Sequence, residues 1–299
     1  IFNSLYLVMA HNKLEKTIVF LFEKVFSDQS KNAFETIILW LSIIGFIVHL
    51  ALIYLIKLDA ITLLGNYKLL TNPISAIYTP FTFILIYEIY LLVLYLPRSF
   101  TTALSKQFEI ISLILIRRIF GDIPKVDIEV DWFQTQENLN LIYDLAGILI
   151  LYYLIFLFNK NRKKSIQNAI NNKIERFVIS KKGISIILLL CFAMMSLNSL
   201  YHWLNEIINF SHVENVNTIF YNDFFELLIL ADVFILLLSF RYTERYIQII
   251  RNTGFVICTI LIRLSFSSSG FTNVALIVSS VIFGFLILKI FNLSEPLQD

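Results

Sequence analysis

Hydrophobic and polar positions along this chain alternate on the scale of whole helices. Apolar runs fall at about 37–57, 78–97, 103–120, 140–158, 183–204, 217–240, 247–267 and 270–291, parted by short polar stretches. A helix rising about 1.5 Å per residue needs roughly 20 residues to cross about 30 Å of hydrocarbon. The pattern therefore predicts eight membrane-spanning helices. The run at 103–120 is the weakest, since Lys106, Gln107 and Glu109 interrupt its start. It reads as a helix because the run at 247–267 has a similar polar beginning and a matching arginine near its end.

That match is one of several. Asn12-Lys13-Leu14-Glu15-Lys16 returns as Asn172-Lys173-Ile174-Glu175-Arg176, and Leu115-Ile116-Arg117 returns as Leu261-Ile262-Arg263. His49 and His202 each lie late in the first apolar run of their half. The spacing predicts a tandem duplication of a four-helix unit. Its first copy with an N-terminal interfacial helix covers 1–158, a basic amphipathic linker covers 159–182, and the second copy covers 183–299. The expected fold is all-α, a polytopic integral membrane protein of eight transmembrane helices in two parallel four-helix bundles.

Composition agrees. Hydrophobic residues make up 58% and charged residues 15%, against roughly 25% charged in an ordinary soluble domain. So much apolar surface does not fit within a single water-facing domain of this length. The net charge of +2 matters less than its distribution. Lysine and arginine gather in the linker Asn159 to Lys182, in the turn with Arg98 and Lys106, and in the turn with Arg241, Arg245 and Arg251. Acidic residues dominate the opposite loops, with Asp122, Asp127, Glu129, Asp131 and Glu137 in one and Glu206, Glu214 and Asp223 in another. Basic loops stay cytoplasmic, so both termini are expected there, in a multi-pass protein of a bacterial inner membrane. Leu14, Ile18, Leu21, Phe22 and Val25 share one helical face, and Ile166, Ile170, Ile174, Phe177 and Val178 share another. Both segments are expected to lie in the headgroup layer, close to anionic lipid.

The candidate chemistry is a set of intramembrane polar residues. Glu88 lies mid-run, Asp232 well inside its run, Arg117, Arg118 and Arg263 near run ends, and Asp144 and Asn273 about one turn into theirs. Each charge at the bilayer centre costs roughly 2.5–3.5 kcal/mol on insertion scales, so the groups are expected to compensate one another. Glu88 would sit about 15 Å below the outer boundary, Asp144 about 6 Å and Arg117 about 5 Å. One acid–arginine–acid cluster is expected in the first copy and a weaker acid–arginine–amide version in the second. Two roles stay open: polar glue between helices, or the lining of a hydrated path for an ion or proton.

Glu88 within Tyr87-Glu88-Ile89, the basic turn, Arg117 and Arg118 at the end of the next helix, and Asp144-Leu145-Ala146 opening a fourth together resemble the phosphate-starvation-inducible E (PsiE) family. The second half repeats the resemblance with Asp232, Arg263, the turn Ser267-Ser268-Ser269-Gly270 and then Asn273-Val274, and His49 and His202 fit it too. The resemblance implies a four-span inner-membrane unit, here duplicated. The fusion of two units and the Asn273 substitution are departures from it.

Other chemistry is sparse. Cys191 and Cys258 lie within apolar runs with no CxxC spacing. His202 and Glu206 have metal-ligand spacing, but no second histidine or cysteine shares their face, so no metal and no cofactor are expected. Trp40, Tyr67, Tyr78, Trp132, Trp203 and Tyr221 read as interface anchors. Catalytic signatures are lacking, and nothing supports nucleic-acid binding. The expected function is a non-enzymatic channel-like or sensing module using the charge clusters. The alternative is a structural or accessory subunit, with membrane-protein partners or further copies of itself beside the lipids.

Overall fold

The computed structural model describes residues 2–58, 72–123, 133, 135–162, 172–208, 216–243, 245–268 and 270–294, without the side chains of 2–12, 172–173, 199–200, 202–208 and 216–222. The described elements are helical: α1 (Phe2–Val25), α2 (Asp28–Lys57), a 3-10 turn (Pro73–Ile77), α3 (Tyr78–Tyr95), α4 (Phe100–Asp122), α5 (Gln136–Asn161), α6 (Asn172–Ile208), α7 (Val216–Phe240), α8 (Tyr246–Ser265) and α9 (Gly270–Ser294). Local chemistry sets several boundaries. Ser27 caps α2 by accepting from Ser30 N at 3.1 Å, and Ser99 caps α4 by accepting from Thr102 N at 3.3 Å. Asn72 accepts from Ile74 N, with Pro73 at the first helical position. Gly270 opens α9 at φ +59°, a left-handed conformation that favours glycine.

Among the described residues, six helical segments are long and apolar enough to cross a membrane: Lys13–Lys57, Pro73–Tyr95, Gln136–Asn161, Ile174–Asn198, Tyr246–Ser265 and Gly270–Ser294. Their outward faces are strongly apolar. Trp40 is 62% exposed, Leu149 74% and Leu197 66%. Two of the eight expected crossings are not among the six. α4 carries Lys106, Glu109, Arg117, Arg118 and Asp122, and the first turns of α7 include residues whose side chains lie outside the described set.

The helices do not divide into two separate bundles. α4 packs on α5, α5 on α9, α9 on α8 and α8 on α4, closing a central four-helix ring with two members from each half. α3 and α2 extend it beyond α4, α7 and α6 extend it beyond α8, and α6 also touches α3 and α1. Within the ring, Phe158 meets Phe108 at 5.2 Å and Phe255 at 6.2 Å between ring centroids. All three rings are buried. α5 and α9 run parallel. Tyr143 contacts Phe271 near their starts, Gly147 faces Val274, and Asn292 donates to Asn161 O near their ends. Small residues make close approach possible: a Cβ on Gly147 would meet Val274 Cγ1 at 2.5 Å between α5 and α9, and one on Gly284 would meet Phe108 Cζ at 3.1 Å between α9 and α4.

The amphipathic segments differ from expectation. From Asn172 onward, the linker segment is the beginning of the 37-residue helix α6 rather than a separate surface helix. Phe177 packs on Phe100 and Tyr242, at 6.3 Å and 5.4 Å between centroids. Ile166 and Ile170 lie outside the described residues. In α1, Ile18 lies 3.6 Å from the position a Cβ of Gly183 would take, and Phe22 underlies the Lys182 ammonium, while Leu14 and Leu21 remain exposed. A protein neighbour thus covers part of the face assigned to lipid headgroups. Trp40 fits outward anchoring by its exposure; Tyr67 and the side chains of Trp132, Trp203 and Tyr221 lie outside the described set.

Gly147→Ala should lower the thermal midpoint in detergent, equivalent to about 1–3 kcal/mol of overpacking. Adding Val274→Ala should recover part of that loss. A fully additive double variant would show that the two residues do not share a packed contact.

Candidate functional site

Neighbouring residues on an α-helix point about 100° apart, so two adjacent arginines address different partners. Arg117 and Arg118 on α4 do this. Arg117 turns to α3, where its Nε lies 3.2 Å from Glu88 Oε2. Arg118 turns to α5, where its Nε donates to Asp144 Oδ2 at 2.7 Å and its Nη2 to Asp144 Oδ1. The expected single cluster is therefore two separate pairs, one toward α3 and one toward α5. Both carboxylates are deeply buried, while the arginine side chains keep 19% and 29% of their surface exposed. Glu88 Oε1 has no hydrogen-bond partner among the described residues.

The C-terminal half holds one comparable pair. Arg263 on α8 places Nη1 2.7 Å from Asp232 Oδ2 on α7. Thr259, one turn earlier on α8, donates to the same carboxylate oxygen at 2.6 Å. Arg263 is 4% exposed, and neither terminal nitrogen makes an aligned hydrogen bond among the described residues. The charge contact is present without good donor geometry.

Asn273 does not join this pair. Its Nδ2 donates to the carbonyls of Ser265 and Ser268, tying α9 to the end of α8. The expected acid–arginine–amide cluster is thus an ion pair and a separate backbone clasp. Setting Arg263 against Arg117 in the two halves places Leu264 opposite Arg118. Asn273 stands where Asp144 stands in the first half. Cation and anion are both missing there, so no unpaired charge remains.

His49 joins α2 to α3, its Nδ1 lying 2.6 Å from Thr79 Oγ1. The side chains of His202 and Glu206 lie outside the described residues. No group of three or more potential metal ligands occurs among the described residues.

A buried lysine was missed by the linear reading. Lys181, within the basic linker, is 2% exposed. Its Nζ donates to Arg98 O at 2.6 Å and lies 4.7 Å from the Phe100 ring centroid and 5.3 Å from that of Phe177. A signal was available. Phe177, Lys181, Ser185, Leu188 and Phe192 recur at helical spacing, and Lys181 and Ser185 are buried on the same stripe as the core residues Leu188 and Phe192. Lys181, Asp232, Thr259 and Gln107 line one cavity of about 30 Å³ between the two halves, together with Phe100, Ile235 and Phe255.

The chain matches no family model, no curated protein and no solved structure.

Arg118→Leu alone should destabilise by about 3–5 kcal/mol, because it strands the Asp144 carboxylate in an apolar site. Asp144→Asn alone should cost less, since Arg118 reaches the surface. The double variant recreates the Leu264/Asn273 arrangement and should recover most of the loss, measured as thermal midpoints in one detergent. A double variant no better than Arg118→Leu would exclude this compensation.

Proposed function

We propose that this chain is a non-enzymatic multi-pass membrane protein that works as an ion-responsive, channel-like or sensing module. In this reading α4 and α7 join the six apolar segments as crossings, giving eight, with both termini cytoplasmic in a bacterial inner membrane. The outward apolar faces support membrane insertion, because such patches are not sustained in water. The parallel run of α5 and α9 supports a tandem, like-facing duplication of a PsiE-like unit.

One observation carries the functional reading: a small cavity lies beside Asp232, with Lys181, Gln107 and Thr259 also in a largely apolar lining. Glu88 and Asp144 sit in ion pairs that brace α3 and α5 against α4. Asp232 instead faces a space large enough for about two waters, and its arginine partner is imperfectly satisfied. Intramembrane charges beside a hydrated cavity are where ion or proton pathways form. The first-half pairs are assigned to holding the structure, and the Asp232–Arg263 pair to the response.

A second reading, an accessory subunit of a larger assembly, has one supporting feature. α2 packs mainly on α3 and the neighbouring 3-10 turn, leaving Ile44, Ile47 and Val48 outward.

In proteoliposomes under an imposed ion gradient, Asp232→Asn should change flux several-fold while Glu88→Gln leaves it close to the parent, both with unchanged helicity. No flux from the parent chain would remove the channel form. Co-purification of another membrane protein at fixed stoichiometry would favour the subunit reading.

A further inference from the structure

We propose that the cavity between the two halves is a binding site for a small monovalent anion, chloride in the simplest case, held by the Lys181 ammonium. The proposal rests on the reading above for its location, the Asp232 side of the protein, and is tested by equilibrium binding rather than by transport.

Charge balance is the first argument. Lys181 and Arg263 are positive, Asp232 is negative, and each is less than one-tenth exposed. Asp232 attracts Lys181 through space, but its Oδ2 already contacts Arg263 Nη1 and accepts from Thr259. One carboxylate thus faces two cations, leaving this buried group one positive charge in excess. A buried charge without a counter-charge is among the most costly arrangements in a protein. A single negative ion neutralises it; a divalent oxyanion would reverse the sign and is too large for the space.

Donor geometry is the second. An ammonium has three N–H donors. One donates to Arg98 O, the hydrogen bond that Lys181 makes among the described residues. The Phe100 and Phe177 rings attract the cation through their faces without taking the place of a hydrogen-bond acceptor. Lys181 and Gln107 both line the cavity, and an amide side chain carries N–H donors of its own. The Thr259 hydroxyl donates to Asp232 and is engaged.

Size and surroundings are the third. A cavity of about 30 Å³ admits a body of about one or two waters, which suits a halide. Phe100, Ile235 and Phe255 line it and Lys181 is 2% exposed, so electrostatic attraction there is stronger than at an exposed lysine.

The test uses the full chain in detergent, with sodium chloride titrated against sodium gluconate at constant ionic strength. The ³⁵Cl resonance should broaden saturably with the parent protein, lose that component in Lys181→Met, and keep it in Lys181→Arg. The parent's thermal midpoint should rise by a few degrees in chloride relative to gluconate, an anion too large for the cavity. That second readout needs no variant. Absence of saturable broadening, broadening unchanged by Lys181→Met, or equal midpoints in the two salts would each overturn the site. A parent that binds chloride without conducting any ion would keep the site and remove the channel form of the function. Conduction without chloride binding would do the reverse.

Discussion

The architecture depends on a single constraint: an arginine placed among apolar helices must meet an acid on a neighbouring helix. α4 carries two such arginines side by side, and the helical twist sends one to α3 and the other to α5. α4 carries five charged residues along its length. Ion pairs to Glu88 and Asp144, together with the Lys106–Glu109 contact at 2.6 Å, let it occupy the interior despite them. Because α4 also borders α8, its position helps set how the two halves meet.

The halves meet through close packing. Gly147 and Gly284 allow α5 and α9, and α4, α8 and α9, to approach until side chains of one helix fill the space left on the other. In hydrocarbon, where burial of apolar surface gives little net drive, van der Waals fit of this kind supports helix association. Ser280 adds a polar contact by donating to Cys258 O at 2.8 Å across the α8–α9 interface. The shared ring makes the junction part of the core rather than a surface between two finished bundles.

The two halves of the chain carry their buried charge differently. Where Arg118 and Asp144 form a buried pair, Leu264 and Asn273 stand in the other half. Asn273 satisfies a turn carbonyl, so the α8–α9 joint keeps a polar clasp without a charge. The cavity lies between the halves, with the buried Lys181 in its lining. Structural charge is thus concentrated in the first half, while the cavity lies at the seam bordering Asp232.

Helix positions were legible because a hydrophobic run long enough to cross a bilayer has few other ways to satisfy its backbone. Runs expected at 78–97, 217–240 and 270–291 became helices at Tyr78–Tyr95, Val216–Phe240 and Gly270–Ser294. The acids and arginines of the candidate site were legible for a related reason, since intramembrane charges stand out against apolar surroundings. Their pairing was not legible, because which arginine meets which acid depends on helix rotation and neighbour choice. Lys181 was hidden for the same reason. In the linear chain it is one more cation in a basic stretch; its burial is decided by α6 continuing unbroken and carrying it between Phe100 and Phe177. Composition and periodicity determined that the chain folds into long apolar helices, whereas tertiary contact alone decided which helices share the central ring and where a charge faces a cavity.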